Sequence, residues 1–302
     1  YEYSINGGGS WQASGSFTNL SPGTYNVLIR DAAYTTCIIV LNNALSITQP
    51  AILSATVTKT DVTCNGAGDG TINITMPSGG YGTYEYSVNG GGTWSSSGSF
   101  TGLAPATYDV RIRDAANTAC VVVLYPNLQI TQPLTLTMTT SGDIMLNCFG
   151  DMTGTGTFYA AGGTLPYTFE LVSNTTGGVL AAPGFNSQTF FGAGAGSVTV
   201  KVTDANGCTA QNTINVNQPA ELTPGSIESD QVLCNGENPA TLTQVTAPTG
   251  GPGAYNYQWQ YATNPGGPFI NIAGANAVTY TPPAGATMTL YYRRMVTSGV
   301  CT

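Results

Sequence analysis

The chain repeats itself. Residues 1–50 align without a gap to residues 84–133, with about two-thirds of the positions identical. YEYSINGGGSW at Tyr1–Trp11 returns as YEYSVNGGGTW at Tyr84–Trp94, IRDAAYTTC at Ile29–Cys37 as IRDAANTAC at Ile112–Cys120, and ITQP at Ile47–Pro50 as ITQP at Ile130–Pro133. A diverged copy closes with VTDANGC (Val202–Cys208) and NQP (Asn217–Pro219). The last stretch keeps the length and the cysteine placement but differs inside. Four ranges follow: the C-terminal part of a truncated repeat at 1–50, full repeats at 51–133 and 134–219, and a module of a second type at 220–302. A period of about eighty residues exceeds that of a solenoid and suits an independently folding β-sandwich.

The interior pattern is that of strands. Tyr108, Val110 and Ile112 alternate with Asp109, Arg111 and Arg113, and Val198, Val200 and Val202 with Thr199, Lys201 and Thr203, which is the period-two signature of a half-buried strand. Glycine-rich turns punctuate the runs, and no stretch of ten or more residues shows helical periodicity. The expected fold is all-β, a tandem array of immunoglobulin-like Greek-key sandwiches. Leu20-Ser21-Pro22-Gly23-Thr24-Tyr25 recurs at Leu103–Tyr108 and looks like a tyrosine corner, in which the phenol bonds to backbone a few residues upstream. An ordinary core tyrosine is the alternative.

Seven cysteines are distributed by repeat. Cys64 and Cys120 fall in the second range, Cys148 and Cys208 in the third, Cys234 and Cys301 in the fourth. The expectation is one disulfide per unit, Cys64–Cys120, Cys148–Cys208 and Cys234–Cys301, each closing one end of its own sandwich. Cys37 matches Cys120 and is expected to be unpaired by truncation. Zinc does not suit these residues, because no CxxC occurs and two thiolates per unit cannot fill four positions. Disulfides persist in oxidising compartments, so the expected location is extracellular or at the cell surface.

Composition narrows the chemistry. Histidine is absent, which removes Ser-His-Asp and Cys-His catalysis. Seven Lys and Arg against fifteen Asp and Glu leave no basic face for nucleic acid. No run of about 18 apolar residues could span a membrane as a helix. No pair of carboxylates has a glycosidase setting, so no catalytic residue and no cofactor is assigned and the chain is read as a non-enzyme. Calcium is the one metal alternative: an acid follows the first cysteine of each full unit (Asp69, Asp151, Glu237), and another precedes the second cysteine in the first three ranges (Asp31, Asp114, Asp204) but not in the fourth. Such carboxylates could hold Ca²⁺, or could serve their own turns through bonds to backbone N–H groups. Trp11 and Trp94 follow glycine hairpins and are weak candidates for stacking on a sugar; covering their own sandwich is the bland alternative. Trp259, in the alternating run Tyr255–Tyr261, is expected in a core beside the disulfide.

CNGAGDGTINI (Cys64–Ile74), YEYSVNGGGTW, LAPATYDVRIRDA (Leu103–Ala115) and the closing ITQP resemble the repeat of SprB-type adhesins of gliding Bacteroidetes. The resemblance is close over 1–133 and looser over 134–219, through CFGDMTGTGTF (Cys148–Phe158) and VTDANGCT. The last range resembles another immunoglobulin-like module of such proteins, through YNYQWQYA (Tyr255–Ala262) and YYRRMVTSGVC (Tyr291–Cys301). The resemblance implies type IX secretion, surface display, and a stalk or filament in adhesion and gliding motility. Its implied partners are extracellular surfaces or polysaccharide, and the secretion and gliding machinery at the outer membrane. Lectin-like carbohydrate-binding modules and accessory domains of a secreted enzyme are the alternatives.

Overall fold

The computed structural model describes residues 1–228 and 230–302. Every regular element among them is a strand. The chain forms two compact units, Tyr1–Val62 with Gly66–Gln132, and Thr63–Asn65 with Pro133–Thr302.

In the first unit, β1 (Glu2–Ser4), β2 (Gly23–Arg30) and β3 (Ile38–Ile47) make one sheet in that order. The second repeat supplies β4 (Ser54–Thr60), β5 (Gly70–Ser78), β6 (Tyr84–Ser87), β7 (Ser99–Leu103), β8 (Ala106–Asp114) and β9 (Val121–Ile130). They form two antiparallel sheets, β4-β5-β7 and β6-β8-β9. The alternation read along β8 sets the packing: Val110 and Ile112 are fully buried with Ile72, Ile74 and Ile130, while Arg111 and Arg113 face outward. Burying each such side chain is worth about 1.5–3 kcal/mol. Tyr25 and Tyr108 donate their phenols to the carbonyls of Ser21 (2.5 Å) and Ala104 (2.8 Å), four residues upstream, which is the tyrosine corner.

In the second unit, the third repeat supplies β10 (Thr137–Thr140), β11 (Ile144–Met145), β12 (Gly154–Ala161), β13 (Thr168–Asn174), β14 (Val179–Leu180), β15 (Ser187–Ala193), β16 (Gly196–Thr203) and β17 (Thr209–Asn217). Their sheets are β10-β12-β15-β14 and β11-β17-β16-β13, with β11 parallel to β17. This is the ABED and GFC order of an immunoglobulin sandwich. Phe158 and Phe190, 6.2 Å apart, centre a core closed by Val198, Val200, Val202 and Ile214. The fourth repeat adds β18 (Ser226–Ile227), β19 (Gln244–Thr246), β20 (Tyr255–Ala262), β21 (Ile270–Asn271) and β22 (Tyr291–Ser298), in sheets β18-β19 and β21-β20-β22. Trp259 is fully buried there, 5.7 Å from Tyr280, and donates its indole N–H to the Ala277 carbonyl.

Strand direction places the two cysteines of a repeat at opposite poles. In the third repeat, Leu146 N–H donates to Asn217 O and Gly150 N–H to Gln218 Oε1, both at 2.8 Å, so the Cys148 turn lies beside the end of β17. Cys208 lies just before the start of β17. The nine residues of β17 span about 30 Å at ~3.3 Å per residue, whereas a disulfide needs Cα atoms within about 7 Å. The second repeat is built alike: Val62 and Gly66 donate to Thr131 O and Gln132 Oε1, at the far end of β9 from Cys120.

The expected pairs Cys64–Cys120, Cys148–Cys208 and Cys234–Cys301 are therefore corrected. The disulfides are Cys64–Cys208 and Cys148–Cys301, with Cα separations of 5.7 and 5.6 Å. Both lie within the second unit, which takes in Thr63–Asn65. Cys120 and Cys234, expected to be bonded, are free, as is Cys37. The expectation of one closed disulfide per sandwich gives way to a rule: the first cysteine of one repeat bonds the second cysteine of the next. Chain direction explains it. The last strand of a repeat ends at the pole carrying the first cysteine. The next repeat begins at the pole carrying the second, where its entering residue accepts from a glycine turn: Gly80 N–H to Ala51 O, Gly163 N–H to Leu134 O and Gly251 N–H to Ala220 O, at 2.8–2.9 Å.

Candidate functional site at the cysteine turns and tryptophan hairpins

The first-cysteine turn is a short polar clamp. Asp151 Oδ2 accepts from Cys148 N–H at 2.9 Å, and Asp151 N–H donates back to Cys148 O at 3.3 Å. In the fourth repeat Glu237 does the same for Cys234, at 2.7 and 3.0 Å. The Gln of two Gln-Pro pairs serves this turn too: Gln132 Oε1 takes Gly66 N–H, and Gln218 Oε1 takes Gly150 N–H. Asp69 is exposed immediately before β5.

The second-cysteine hairpin rests on a socket. Asp114, fully buried, accepts from the N–H groups of Tyr81, Ala116 and Asn117. The Tyr81 N–H, then those of Ala116 and Asn117, hold its carboxyl below the usual carboxylate range against the opposing effect of burial. Asp204 repeats the arrangement with Thr164 (2.8 Å), Asn206 (3.0 Å) and Cys208 (2.9 Å). Asp31 accepts from Ala33 and Tyr34 at 2.8 and 3.1 Å. In the fourth repeat Ser298 fills the position, bonding both ways to Gly253 at 3.0 and 2.9 Å. The proposed calcium acids thus accept backbone N–H groups in Asp31, Asp114, Asp151, Asp204 and Glu237. No cluster of three metal-ligating side chains occurs among the described residues.

A tyrosine seals the same pole. Tyr84, Tyr167 and Tyr255 donate their phenols to Gly79 O (2.9 Å), Gly162 O (2.5 Å) and Gly250 O (2.9 Å). These residues were not singled out from the sequence, although a Gly-Gly pair five residues before a Tyr marks all three repeats. The pair is needed because a Cβ on Gly162 or Gly250 would stand 2.0 or 1.9 Å from a backbone carbonyl oxygen, at positive φ.

Trp94 and Trp11 are half-buried. One face of each indole is covered by a guanidinium at 4.4 Å, Arg113 over Trp94 and Arg30 over Trp11, a cation–π contact. Each arginine is held by a glutamate across the strand pair, Arg113 to Glu85 at 2.7 Å and Arg30 to Glu2 at 2.6 Å. Trp259 sits in its core as expected, but without a disulfide in its own sandwich, since Cys234 is free and Cys301 bonds Cys148. Arg294, which the sequence reading passed over, is buried nearby. It stacks 4.8 Å over Tyr257 and donates to Gln244 Oε1, Val278 O and Pro224 O.

Residues 56–93, spanning the first-cysteine turn and the glycine–tyrosine seal, match the family model of the SprB repeat. Residues 223–302 match a different model, described as a domain of unknown function, DUF8696, so the SprB repeat and the fourth range are distinct modules. No curated protein matches the chain. Solved structures with partial similarity include the C-terminal 282-residue fragment of intimin in complex with the intimin-binding domain of the translocated intimin receptor (19% identity, 58% of this chain, 67% of that one, TM-score 0.33). The N-terminal eight Ig domains of Down syndrome cell adhesion molecule align at 14% identity over 88% of this chain and 36% of theirs, TM-score 0.34. SGBP-B of the Bacteroides ovatus mixed-linkage glucan utilization locus, in complex with a mixed-linkage heptasaccharide, aligns at 11% identity over 97% and 81%, TM-score 0.19.

Proposed function

We propose that the chain is a segment of an exported cell-surface adhesin, in which stapled immunoglobulin-like repeats act as a load-bearing spacer. The observation that carries this reading is the pair of disulfides joining the first cysteine of one repeat to the second cysteine of the next. A sandwich that needed a covalent tie for its own stability would close it internally; these ties resist separation of successive modules instead. The SprB match over 56–93 supports adhesion, and with it gliding motility and type IX secretion. The disulfides support an oxidising, extracellular location. The reading assigns no catalytic step and no cofactor. An arginine already on one face of Trp94 and of Trp11 disfavours those rings as sugar platforms.

Single-molecule pulling between the two termini tests it. With the disulfides intact, the shortest covalent path runs from residue 1 to 64, crosses to 208, returns to 148 and crosses to 301. Reduction should therefore roughly double the greatest extension, at about 3.5 Å per residue released. Equal extensions with and without reductant would overturn the load-bearing role. On a glycan array the chain should give no binding that depends on Trp94.

A further inference from the structure

The Cys208 hairpin carries a side chain that the other second-cysteine hairpins lack. Two residues after the acceptor that anchors each hairpin stand Ala33 (after Asp31), Ala116 (after Asp114) and Val300 (after Ser298), but Asn206 after Asp204. The buried Asp204 socket sets its position. Asp204 Oδ1 accepts from the Asn206 N–H at 3.0 Å, Asp204 Oδ2 from the Thr164 N–H at 2.8 Å, and Thr164 O from the Ala205 N–H at 2.9 Å. So held, the Asn206 side-chain amide donates to Thr164 Oγ1 at 3.2 Å and to Thr63 O at 2.9 Å, 143 residues away in sequence. Thr63 directly precedes Cys64, the partner of Cys208. On the other side of Cys64, Asn65 Nδ2 donates to Pro133 O at 3.0 Å, where the third repeat is entered. All of these residues belong to the second unit. The Cys64 turn is gripped on both flanks by contacts that involve no sulfur.

We propose that Asn206 is the specificity-determining positioning residue for the Cys64–Cys208 bond: its amide reads the Thr63 carbonyl and seats the Cys64 turn against the Cys208 hairpin, in preference to the hairpins of Cys37, Cys120 and Cys301. The bond itself forms by thiol–disulfide exchange. The Cys64 thiolate displaces one half of a small disulfide such as oxidised glutathione, and the Cys208 thiolate then attacks the mixed disulfide and displaces the other half. Two protein thiols give up two protons and two electrons, two small thiols leave, and one S–S bond forms as one breaks. Asn206 takes no part in those steps. It raises the effective concentration of Cys208 at the mixed disulfide. A neutral N–H donor is required, because the group it meets is a carbonyl oxygen, which only accepts. The proposal concerns how the partner is chosen and holds whatever load the joint bears, so its failure leaves the spacer reading standing, and failure of the pulling test leaves the proposal standing.

The test uses the full chain, reduced and then equilibrated with mixtures of oxidised and reduced glutathione, with peptide mapping to quantify each bond. Both disulfides are followed in the same molecule. The third repeat supplies a cysteine to each, so a variant that merely weakens that repeat lowers both equilibrium constants together. Asn206→Ala should lower the constant for Cys64–Cys208 about three- to tenfold, the worth of one such hydrogen bond, and leave that for Cys148–Cys301 within about twofold. Asn206→Asp keeps the size of the side chain but turns an acceptor on an acceptor, and should lower the first constant at least as far. Ala116→Asn, which gives the Cys120 hairpin an amide at the matching place, is the converse variant and should raise the share of Cys64–Cys120 among the products. An unchanged Cys64–Cys208 constant in Asn206→Ala, or an equal fall in both constants, would overturn the proposal, as would an Asn206→Asp chain that pairs as well as the parent.

Discussion

The second and third repeats differ from the fourth inside, yet match it at the poles. The core of the third repeat is built on Phe158 and Phe190 with a row of valines, whereas that of the fourth is built on Trp259 with a buried Arg294. Residues 56–93 of the second repeat and residues 223–302 of the fourth match different family models. The third and fourth repeats nevertheless keep the acid-clamped first-cysteine turn, the glycine pair, the tyrosine bonded five residues back, and a buried acceptor beneath the second hairpin. A sandwich core tolerates many fillings if volume and patterning are kept. A joint between modules tolerates few, because both partners must present fixed geometry. The recurring features are those of a connector.

The comparison can be broken most forcefully in the interiors. Phe158→Ala and Trp259→Ala should each cost about 3–5 kcal/mol, with the loss of hydrogen-exchange protection confined to β12–β17 for the first and β20–β22 for the second. Loss that spreads to both would show that the interiors are coupled and not merely joined at their ends. Next in size, Gly162→Ala and Gly250→Ala should destabilise their repeats by similar amounts, roughly 2–4 kcal/mol, because each adds a Cβ against a carbonyl at positive φ. A large effect in one repeat and none in the other would end the claim that the poles are built alike.

Removing the phenol hydroxyl is a finer probe. Tyr167→Phe and Tyr255→Phe should each cost about 1 kcal/mol by thermal or chemical denaturation, the ordinary worth of one such bond. Unequal losses would show that the seal matters more in one module type.

The smallest and most selective effect is expected in acid, where the two module types should part. Asp114 has its carboxyl held below the usual range by N–H donors. A depressed carboxylate contributes stability that is present above the unfolded value of about 4 and is lost as pH falls through the folded one. Exchange protection in β8 and β9 should therefore fall below about pH 4, and Asp114→Asn should flatten that dependence. The fourth repeat has Ser298 in the same place and should show no acid step from this socket.

Much of the fold was legible because it is written in short-range pattern. Val198, Val200 and Val202 declare one buried face of a strand, and Leu103–Tyr108 declares the corner that bonds its own backbone. Disulfide pairing was not legible, because it turns on the number of times the chain crosses the sandwich. One crossing hides: it is the two-residue β14 in the third repeat, and in the second it is covered by residues 88–98 without a named strand. Omitting it moves the second cysteine to the wrong pole. The arginine caps on Trp11 and Trp94 were also invisible, since Arg30 and Arg113 lie across a strand pairing, Glu2 with Arg30 and Glu85 with Arg113, that spacing alone does not fix.

The two disulfide loops overlap, because Cys148 lies between Cys64 and Cys208 while its partner Cys301 lies beyond both. Every peptide bond from Cys64 to Cys301 is therefore enclosed by at least one loop, and those between Cys148 and Cys208 by two. A protease that cuts once anywhere in that span severs the backbone without releasing a fragment. Overlapped like roof tiles, the repeats keep a nicked chain in one covalent piece until a reductant or a second cut in the right place arrives.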